Sequence, residues 1–202
     1  MLCCHQQTIL RNYSSYTDID RVNISNKYTY DPKVHFRDCI KQYQAKQNCT
    51  IPPTVYEQLI EQFENHHLLD MSEQGSKRFK NITKNHILIF LKELDFSGHY
   101  ENVHLIHHTI TGIPPNDISH LEDKLLDDFD VLINLYEKRY KYINRKSFIN
   151  TQFVLYQLLL RHKYHCKEEE FIILKTIDCK IFYDEICAEL FSELSWNHTK
   201  YF

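Results

Sequence analysis

From Asn144 to His165 the chain reads Asn-Arg-Lys-Ser-Phe-Ile-Asn-Thr-Gln-Phe-Val-Leu-Tyr-Gln-Leu-Leu-Leu-Arg-His-Lys-Tyr-His. Its middle, Phe148 to Leu160, is apolar on nearly every face and contains no Gly, Pro or charge. A helix that is hydrophobic all round belongs at the centre of a protein. Thirteen residues rising 1.5 Å each span only about 20 Å, too short for a bilayer. Basic residues flank it on both sides: Arg145 and Lys146 before, Arg161 and Lys163 after. A buried rod with cationic ends fits a core helix that surfaces beside something anionic. Ordinary snorkelling of long basic side chains at the water boundary is the alternative.

The rest of the composition agrees with helices packed around such a rod. Of 202 residues only 3 are Gly and 5 Pro, a poor supply for hairpins, while 43% are hydrophobic and 13% aromatic. The expectation is an all-α compact bundle of about seven or eight helices, residues 31–202, preceded by an irregular N-terminal arm over residues 1–30. Net charge is −3, so any case for nucleic acid rests on local asymmetry. From Asn116 to Glu137 seven acids face one base, Lys124; from Lys138 to Lys167 there are eight bases and no acid. The 7 cysteines show no framework spacing, and no segment at the start reads as a signal peptide, which fits reduced thiols in a cytosol or nucleus. No run is long enough to span a membrane.

Helix punctuation can be followed along the chain. Asp31-Pro32 opens a helix to about Gln47, and Ile51-Pro-Pro-Thr54 opens a second. Asp70 to Lys80 is a polar connection, after which Thr83 caps a third helix. A fourth, over about His99 to Ile110, ends at Gly112 before Pro114-Pro115. Ser119 with Glu122 predicts a capping box opening a long acidic helix to about Tyr140. After the central helix, Lys167-Glu-Glu-Glu leads to two short helices, the first holding Phe171 to Leu174. In the second, Phe182, Ile186, Leu190 and Leu194 share a face, and Trp196 pins the tail to the core.

Signatures of catalysis are missing. Three glycines cannot supply a dinucleotide or Walker loop, and neither G-x-S-x-G nor H-E-x-x-H occurs, so an enzyme is not expected. His104 and His108, at i and i+4, share a helix face that a metal could use, but no third ligand can be named; His107 and His108 read more simply as polar-face residues. Asp123, Asp127 and Asp130 read as solvated surface before they read as a cation cradle. Cys3-Cys4 is a metal-flavoured pair, although one adjacent pair is not the two knuckles that zinc requires. The basic series carries the most weight. Lys138, Arg139, Lys141, Arg145 and Lys146 lead into the core helix, and Arg161, Lys163 and Lys167 leave it, with Tyr140, Tyr142, Tyr156 and Tyr164 interleaved. Cations among aromatic rings suit phosphate contact and base stacking, and these eight residues are the candidate nucleic-acid contacts.

An ordered set of short segments carries a resemblance. His35-Phe36 is followed by Gln42-Tyr-Gln-Ala-Lys46, then Ile51-Pro52, Ile82-Thr83, Tyr100-Glu101 and Thr111-Gly-Ile-Pro-Pro115. Arg145-Lys-Ser-Phe148, Val154-Leu-Tyr156 and Leu194-Ser-Trp196 complete it. In this order they resemble the poxvirus-type late transcription factor 3-like proteins of large cytoplasmic DNA viruses. The family's Gln-Gly-Lys appears here as Gln44-Ala-Lys46, and its Tyr-Tyr-Glu-His as His99-Tyr-Glu-Asn102. The family typically carries an N-terminal zinc ribbon, of which Cys3-Cys4 is at most the final half. Either the ribbon has been lost or the chain begins inside it, so the expectation is no cofactor, with zinc only if a ribbon is completed outside this chain. The resemblance implies a non-catalytic trans-activator that helps a viral RNA polymerase act at late promoters, touching DNA through the basic series. It further implies other viral transcription factors as partners, no small-molecule substrate, and a place in the host cytoplasm at viral factories, the nucleus or the virion. A protein-protein adaptor without DNA contact is the rival reading.

Overall fold

The computed structural model describes residues 31–141, 149–171 and 176–199. Among these residues there are seven α-helices and no strand. We number them α1 (Pro32–Tyr43), α2 (Pro53–Asn65), α3 (Lys84–Glu93), α4 (Val103–Thr111), α5 (Glu122–Tyr140), α6 (Thr151–Arg161) and α7 (Ile177–Glu193). Four short 3-10 segments, Gly75–Phe79, Ser97–Asn102, Ser119–Leu121 and Glu168–Glu170, join them. All seven helices lie in the unit Pro32–Phe202.

The starts follow local chemistry. Proline opens α1 and α2, where a missing N–H costs nothing. Thr83 Oγ1 accepts from His86 N at 3.2 Å while the His86 ring takes the Thr83 N–H at 3.3 Å, a reciprocal box at the head of α3. The Asn150 side chain accepts from Phe153 N at 3.0 Å and starts α6. Ser119 departs from expectation. Its hydroxyl lies 2.5 Å from Asp117 Oδ1 and 3.1 Å from Gln44 Oε1, so the box with Glu122 is absent and α5 starts without a side-chain cap. Expected as one helix, His99 to Ile110 divides into the 3-10 turn Ser97–Asn102 and α4.

The helix ends share one device. Five helices stop with a non-glycine residue in the left-handed region: Ala45 (φ 53°), His67 (53°), Asp95 (58°), Lys163 (59°) and Ser195 (55°). The same pair of bonds brackets each one. After α1, Lys46 N donates to Lys41 O and Ala45 N to Gln42 O; after α6, Tyr164 N donates to Leu159 O and Lys163 N to Leu160 O. These are Schellman motifs, which satisfy the last carbonyls and turn the chain. The following residue is large and apolar in four cases, Leu68, Phe96, Tyr164 and Trp196, and each packs on a core cluster. Only α4 uses glycine for the turn, Gly112 at φ 70°. Helix α1 therefore ends at Tyr43 rather than near Gln47.

Two hydrophobic clusters form the interior. The first joins α1, α5, α6 and α7 through Phe36, Phe129, Leu132, Phe153, Leu158 and Phe191, with Phe36 and Phe129 stacked at 4.0 Å. The second joins α2, α3 and α4 through Val55, Leu59, Phe63, Leu91 and Ile106. The apolar rod of the sequence is α6, which buries Phe153, Val154, Leu155, Leu158 and Leu159. Trp196 packs edge-on to Phe191 at 5.4 Å and lies under the Arg161 guanidinium at 4.0 Å, so it does pin the tail. On α7 the buried face is Tyr183, Ile186, Cys187, Leu190 and Phe191, whereas Phe182 is 36% exposed. The expected short helix over Phe171 to Leu174 is not seen at Phe171, which is extended (φ −114°, ψ 145°); Ile172 to Leu174 lie outside the described residues.

A left-handed alanine costs about 1–2 kcal/mol, which glycine avoids, offset in part by the greater conformational entropy that glycine gives the unfolded chain. Ala45→Gly should therefore stabilise the fold by about 0.5–1 kcal/mol, read as a higher urea midpoint at unchanged slope. A lower midpoint would show that the Ala45 methyl contributes packing that outweighs the strain.

Candidate functional site

The Schellman turn after α1 delivers a run of side chains, Gln42 to Gln47, to the place where the two core clusters meet. Gln42 Nε2 donates to Glu101 Oε2 at 3.1 Å. Gln44 is buried; its Oε1 accepts from Ile118 N at 3.2 Å, Ser119 Oγ at 3.1 Å and Lys46 Nζ at 2.8 Å. Lys46 reaches on to Asp117 at 3.4 Å. Gln47 Nε2 donates to Glu101 O and Asn102 Oδ1, both at 3.3 Å. Thus Gln42-Tyr-Gln-Ala-Lys46 meets Tyr100-Glu101 and the segment that follows Thr111-Gly-Ile-Pro-Pro115.

Tyr43 holds the centre. Its ring is fully buried, stacked on Phe171 at 4.9 Å and tilted against His104 at 5.2 Å, with the Lys84 ammonium 5.9 Å from its centroid. Its hydroxyl donates to Glu170 Oε2 at 2.6 Å, an oxygen that also accepts from Asn116 Nδ2 at 2.8 Å. Burial and the neighbouring Glu170 carboxylate both push the phenol's pKa up, so it stays a donor. The Glu170 carbonyl bonds His104 Nε2 at 2.9 Å. Glu170 escaped the sequence reading: three consecutive glutamates look like solvated surface, and its partner Tyr43 lies 127 residues away.

The histidines of α4 are structural. His104 is buried, His107 Nε2 bonds Ile82 O at 3.1 Å, and His108 Nδ1 bonds Ile113 O at 2.8 Å. His107 and His108, expected on a polar face, are only partly exposed, and a backbone carbonyl claims each ring. Burial is the main cause that lowers the His104 pKa to about 3, with the Lys84 charge adding to it. Burial likewise lowers His107. Among the described residues no group of three or more His, Cys, Asp or Glu could hold a metal ion. Cys3 and Cys4 lie outside the described residues.

The basic series is divided in space. Lys138, Arg139 and Lys141 occupy the end of α5, and all three are exposed. Arg139 bridges two carboxylates of α7, Glu193 at 2.7 Å and Glu189 at 3.1 Å. Arg161, at the end of α6, is paired with Asp128 and stacked on Trp196; His162 Nε2 also reaches Asp128, at 2.7 Å. Asp128 and Arg139 are separated by roughly 16 Å along the axis of α5, so Arg161 and the α5 end are not adjacent. Lys163 is the left-handed residue of its turn, and Lys167 precedes the Glu168–Glu170 segment; both are exposed. Arg145 and Lys146 lie outside the described residues. Lys138, Lys141, Lys163 and Lys167 have no ion pair among the described residues. Asp130 pairs with Lys33 of α1 at 3.0 Å, so this part of the acidic face is a counter-charge to a neighbouring helix.

A helical scaffold knitted by buried polar contacts, with lysines left facing water, is the class of molecule this geometry defines. The chain belongs to the poxvirus late transcription factor VLTF3-like family, whose sequence profile matches residues 23–198. It is 49% identical over 205 aligned residues to "Putative transcription factor 282R" of Invertebrate iridescent virus 6, covering 96% of this chain and 54% of that protein. It is 43% identical to "Putative transcription factor 079L" of Invertebrate iridescent virus 3, covering 98% of this chain and 54% of that protein. With "Putative transcription factor 001R" of Frog virus 3 the identity is 33%, covering 81% and 62%. The chain spans about half the length of the first two of these curated relatives. No solved structure matches it. No helix among the described residues is long and apolar enough to cross a membrane.

His104 makes the site sensitive to acid. Between its unfolded pKa near 6.5 and its folded value of about 3, the unfolded chain takes a proton that the folded chain refuses. Stability should therefore fall as pH drops through that window, by up to about 1.4 kcal/mol per pH unit from this residue. His107 adds in the same direction. His104→Gln should flatten the fall in urea midpoint from about pH 6.5 to about pH 4; an unchanged slope would assign the acid sensitivity elsewhere.

Proposed function

We propose that this chain is a non-catalytic factor of viral late transcription that helps a viral RNA polymerase act at late promoters. Membership of the family over residues 23–198 is the observation that carries this reading, and the three relatives bear names of the same kind. Its partners would be the polymerase and other viral transcription factors, and its place of action the host cytoplasm where such viruses transcribe, with the nucleus and the virion as further sites.

DNA contact belongs to the same proposal. The lysines at the end of α5, Lys138 and Lys141, are exposed and without an ion pair among the described residues, and Arg145 and Lys146 follow them closely in sequence. Phosphate contact needs cations of this kind, not yet satisfied by the protein's own carboxylates. Lys163 and Lys167, beyond α6, would add a second set. Arg139 and Arg161 are engaged internally, and this favours a second reading in which the chain acts only as an adaptor between proteins.

Salt-titrated binding of late-promoter duplex separates the two. If Lys138, Lys141, Arg145 and Lys146 contact phosphates, changing all four to Gln should weaken binding. The slope of log K against log salt should then become shallower by roughly 0.9 for each phosphate that is no longer neutralised. The fold should remain intact. Arg161→Gln should act differently, destabilising the domain by about 1.5–3 kcal/mol because Asp128 loses one of its two partners while His162 remains beside it. Polymerase capture without any duplex shift would favour the adaptor.

A further inference from the structure

The two hydrophobic clusters share no residue, and the described chain passes between them twice. It leaves α1 for α2 through residues 44–52 and returns from α4 to α5 through residues 112–121. Helices α2, α3 and α4 are therefore one continuous stretch set between α1 and the group α5, α6 and α7. The crossings are tied to each other: Gln44 Oε1 accepts from Ile118 N, and Lys46 pairs with Asp117 at 3.4 Å. Beyond these ties, Asn48, Cys49 and Thr50 on one crossing and Gly112, Ile113 and Pro114 on the other are exposed and outside any helix. Paired crossings with exposed backbone beside them are what a hinge between two packed bodies requires.

The contacts that cross the joint are largely polar. Gln42 bonds Glu101, Gln47 bonds Glu101 O and Asn102, Cys49 Sγ donates to Asn102 Oδ1 at 3.2 Å, and His104 Nε2 meets the Glu170 carbonyl. Tyr43 adds a ring contact to His104 at 5.2 Å. Bonds of this kind can be exchanged for bonds to water at little net cost, whereas apolar burial cannot. Two polar atoms at the joint, Gln47 Oε1 and His104 Nδ1, are buried without a hydrogen-bond partner among the described residues, so opening would solvate groups that closure leaves unsatisfied. Alongside the joint, a cleft of about 900 Å³ lies between α3, with Tyr100 and His107, on one side and Glu168–Phe171 on the other.

We infer that the domain is two lobes, α1 with α5, α6 and α7 against α2 with α3 and α4, which open and close about residues 48–50 and 112–114. The latch is the set of contacts from Gln42 to Glu101, from Gln47 and Cys49 to Asn102, and between His104 and the Glu170 carbonyl. Closed, the latch holds the two walls of the cleft at a fixed spacing. Open, the cleft widens and the polar groups of the joint reach water. Each lobe carries its own apolar cluster, so both cores stay packed through the motion. The balance between the forms is set by the latch rather than by either core. This inference does not depend on whether the α5 lysines touch DNA.

The test reads distances in the full chain by pulsed electron spin resonance, with nitroxides on ketone side chains introduced at exposed positions so that the native cysteines are spared. Lys92, on the α3 wall, and Asp178, near the Lys180 that pairs with Glu168, report across the cleft. Glu57 with Lys92, and Lys124 with Asp178, report within each lobe. Glu101→Ala with Asn102→Ala cuts the side-chain ties to Gln42, Gln47 and Cys49, and neither residue belongs to a core cluster. In this variant the cross-cleft distribution should gain a longer distance, its share exceeding that in the native chain roughly fivefold or more. Both within-lobe distances should stay single and unchanged, and helix content by circular dichroism should match the native chain. An unchanged cross-cleft distance would overturn the inference. So would within-lobe distances that broaden together with it, or lost helix content, since either would be unfolding rather than motion about a hinge.

Discussion

Tyr43 donates its hydroxyl to Glu170 inside the joint between two hydrophobic clusters, and much of the arrangement depends on that bond. A fully buried phenol must find an acceptor, and a carboxylate drawn out of water must find donors. Glu170 has Tyr43 and Asn116 on one oxygen and holds His104 through its carbonyl. Tyr43 and Phe171 belong to the cluster of α1, α5, α6 and α7, whereas His104 comes from α4, which packs mostly in the other cluster. Hydrophobic burial would tolerate several ways of placing one cluster against the other. Directional bonds from Gln42 to Glu101, from Gln47 to Asn102 and between His104 and the Glu170 carbonyl do not.

This dependence explains which features could be read from the chain and which could not. Thr83, Pro32, Pro53 and Gly112 punctuate helices through contacts within a few residues, so their signals are local. The α6 rod was readable because an apolar run without charge has few places to go. Ser119 misled because a local cap competes with Gln44 and Asp117, and Gln44 arrives from 75 residues away. His107 misled for the same reason, since the Ile82 carbonyl, supplied by a segment 25 residues away, leaves no trace in spacing. Phe182 fell on the wrong face because the apolar residues of α7 run nearly all round the helix, leaving the choice of face to tertiary packing. Ala45 is a subtler case. The family's glycine at that position is what a left-handed turn favours, and here the turn is made with an alanine at φ 53°.

The charge switch at Glu137 and Lys138 takes on a different meaning once helices are placed. In sequence it is an acidic block followed by a basic block. In the fold, Asp128 and Asp130 of α5 answer Arg161 of α6 and Lys33 of α1, and Arg139 answers two glutamates of α7. Acids in the first turn and bases in the last also complement the dipole of α5. Much of the pattern is therefore consumed in fastening helices to one another, most firmly at Arg161, where a guanidinium, a carboxylate and the Trp196 ring share a partly buried site. The lysines are what is left over. Candidate nucleic-acid contacts in an all-helical protein are better sought by subtracting the internal pairs than by counting bases along the chain.

The same subtraction separates two kinds of surface. At the end of α5 it leaves cations; in the groove beside α3 it leaves an apolar stripe with Lys92, Glu93 and Glu169 beside it. Helix α1 packs on α5 and α6 along its length and ends in the Gln42–Lys46 joint against the other cluster. Any loosening of that joint would change the placing of the two clusters before it changed either one, so the buried polar contacts act as spacing elements as well as stabilising ones.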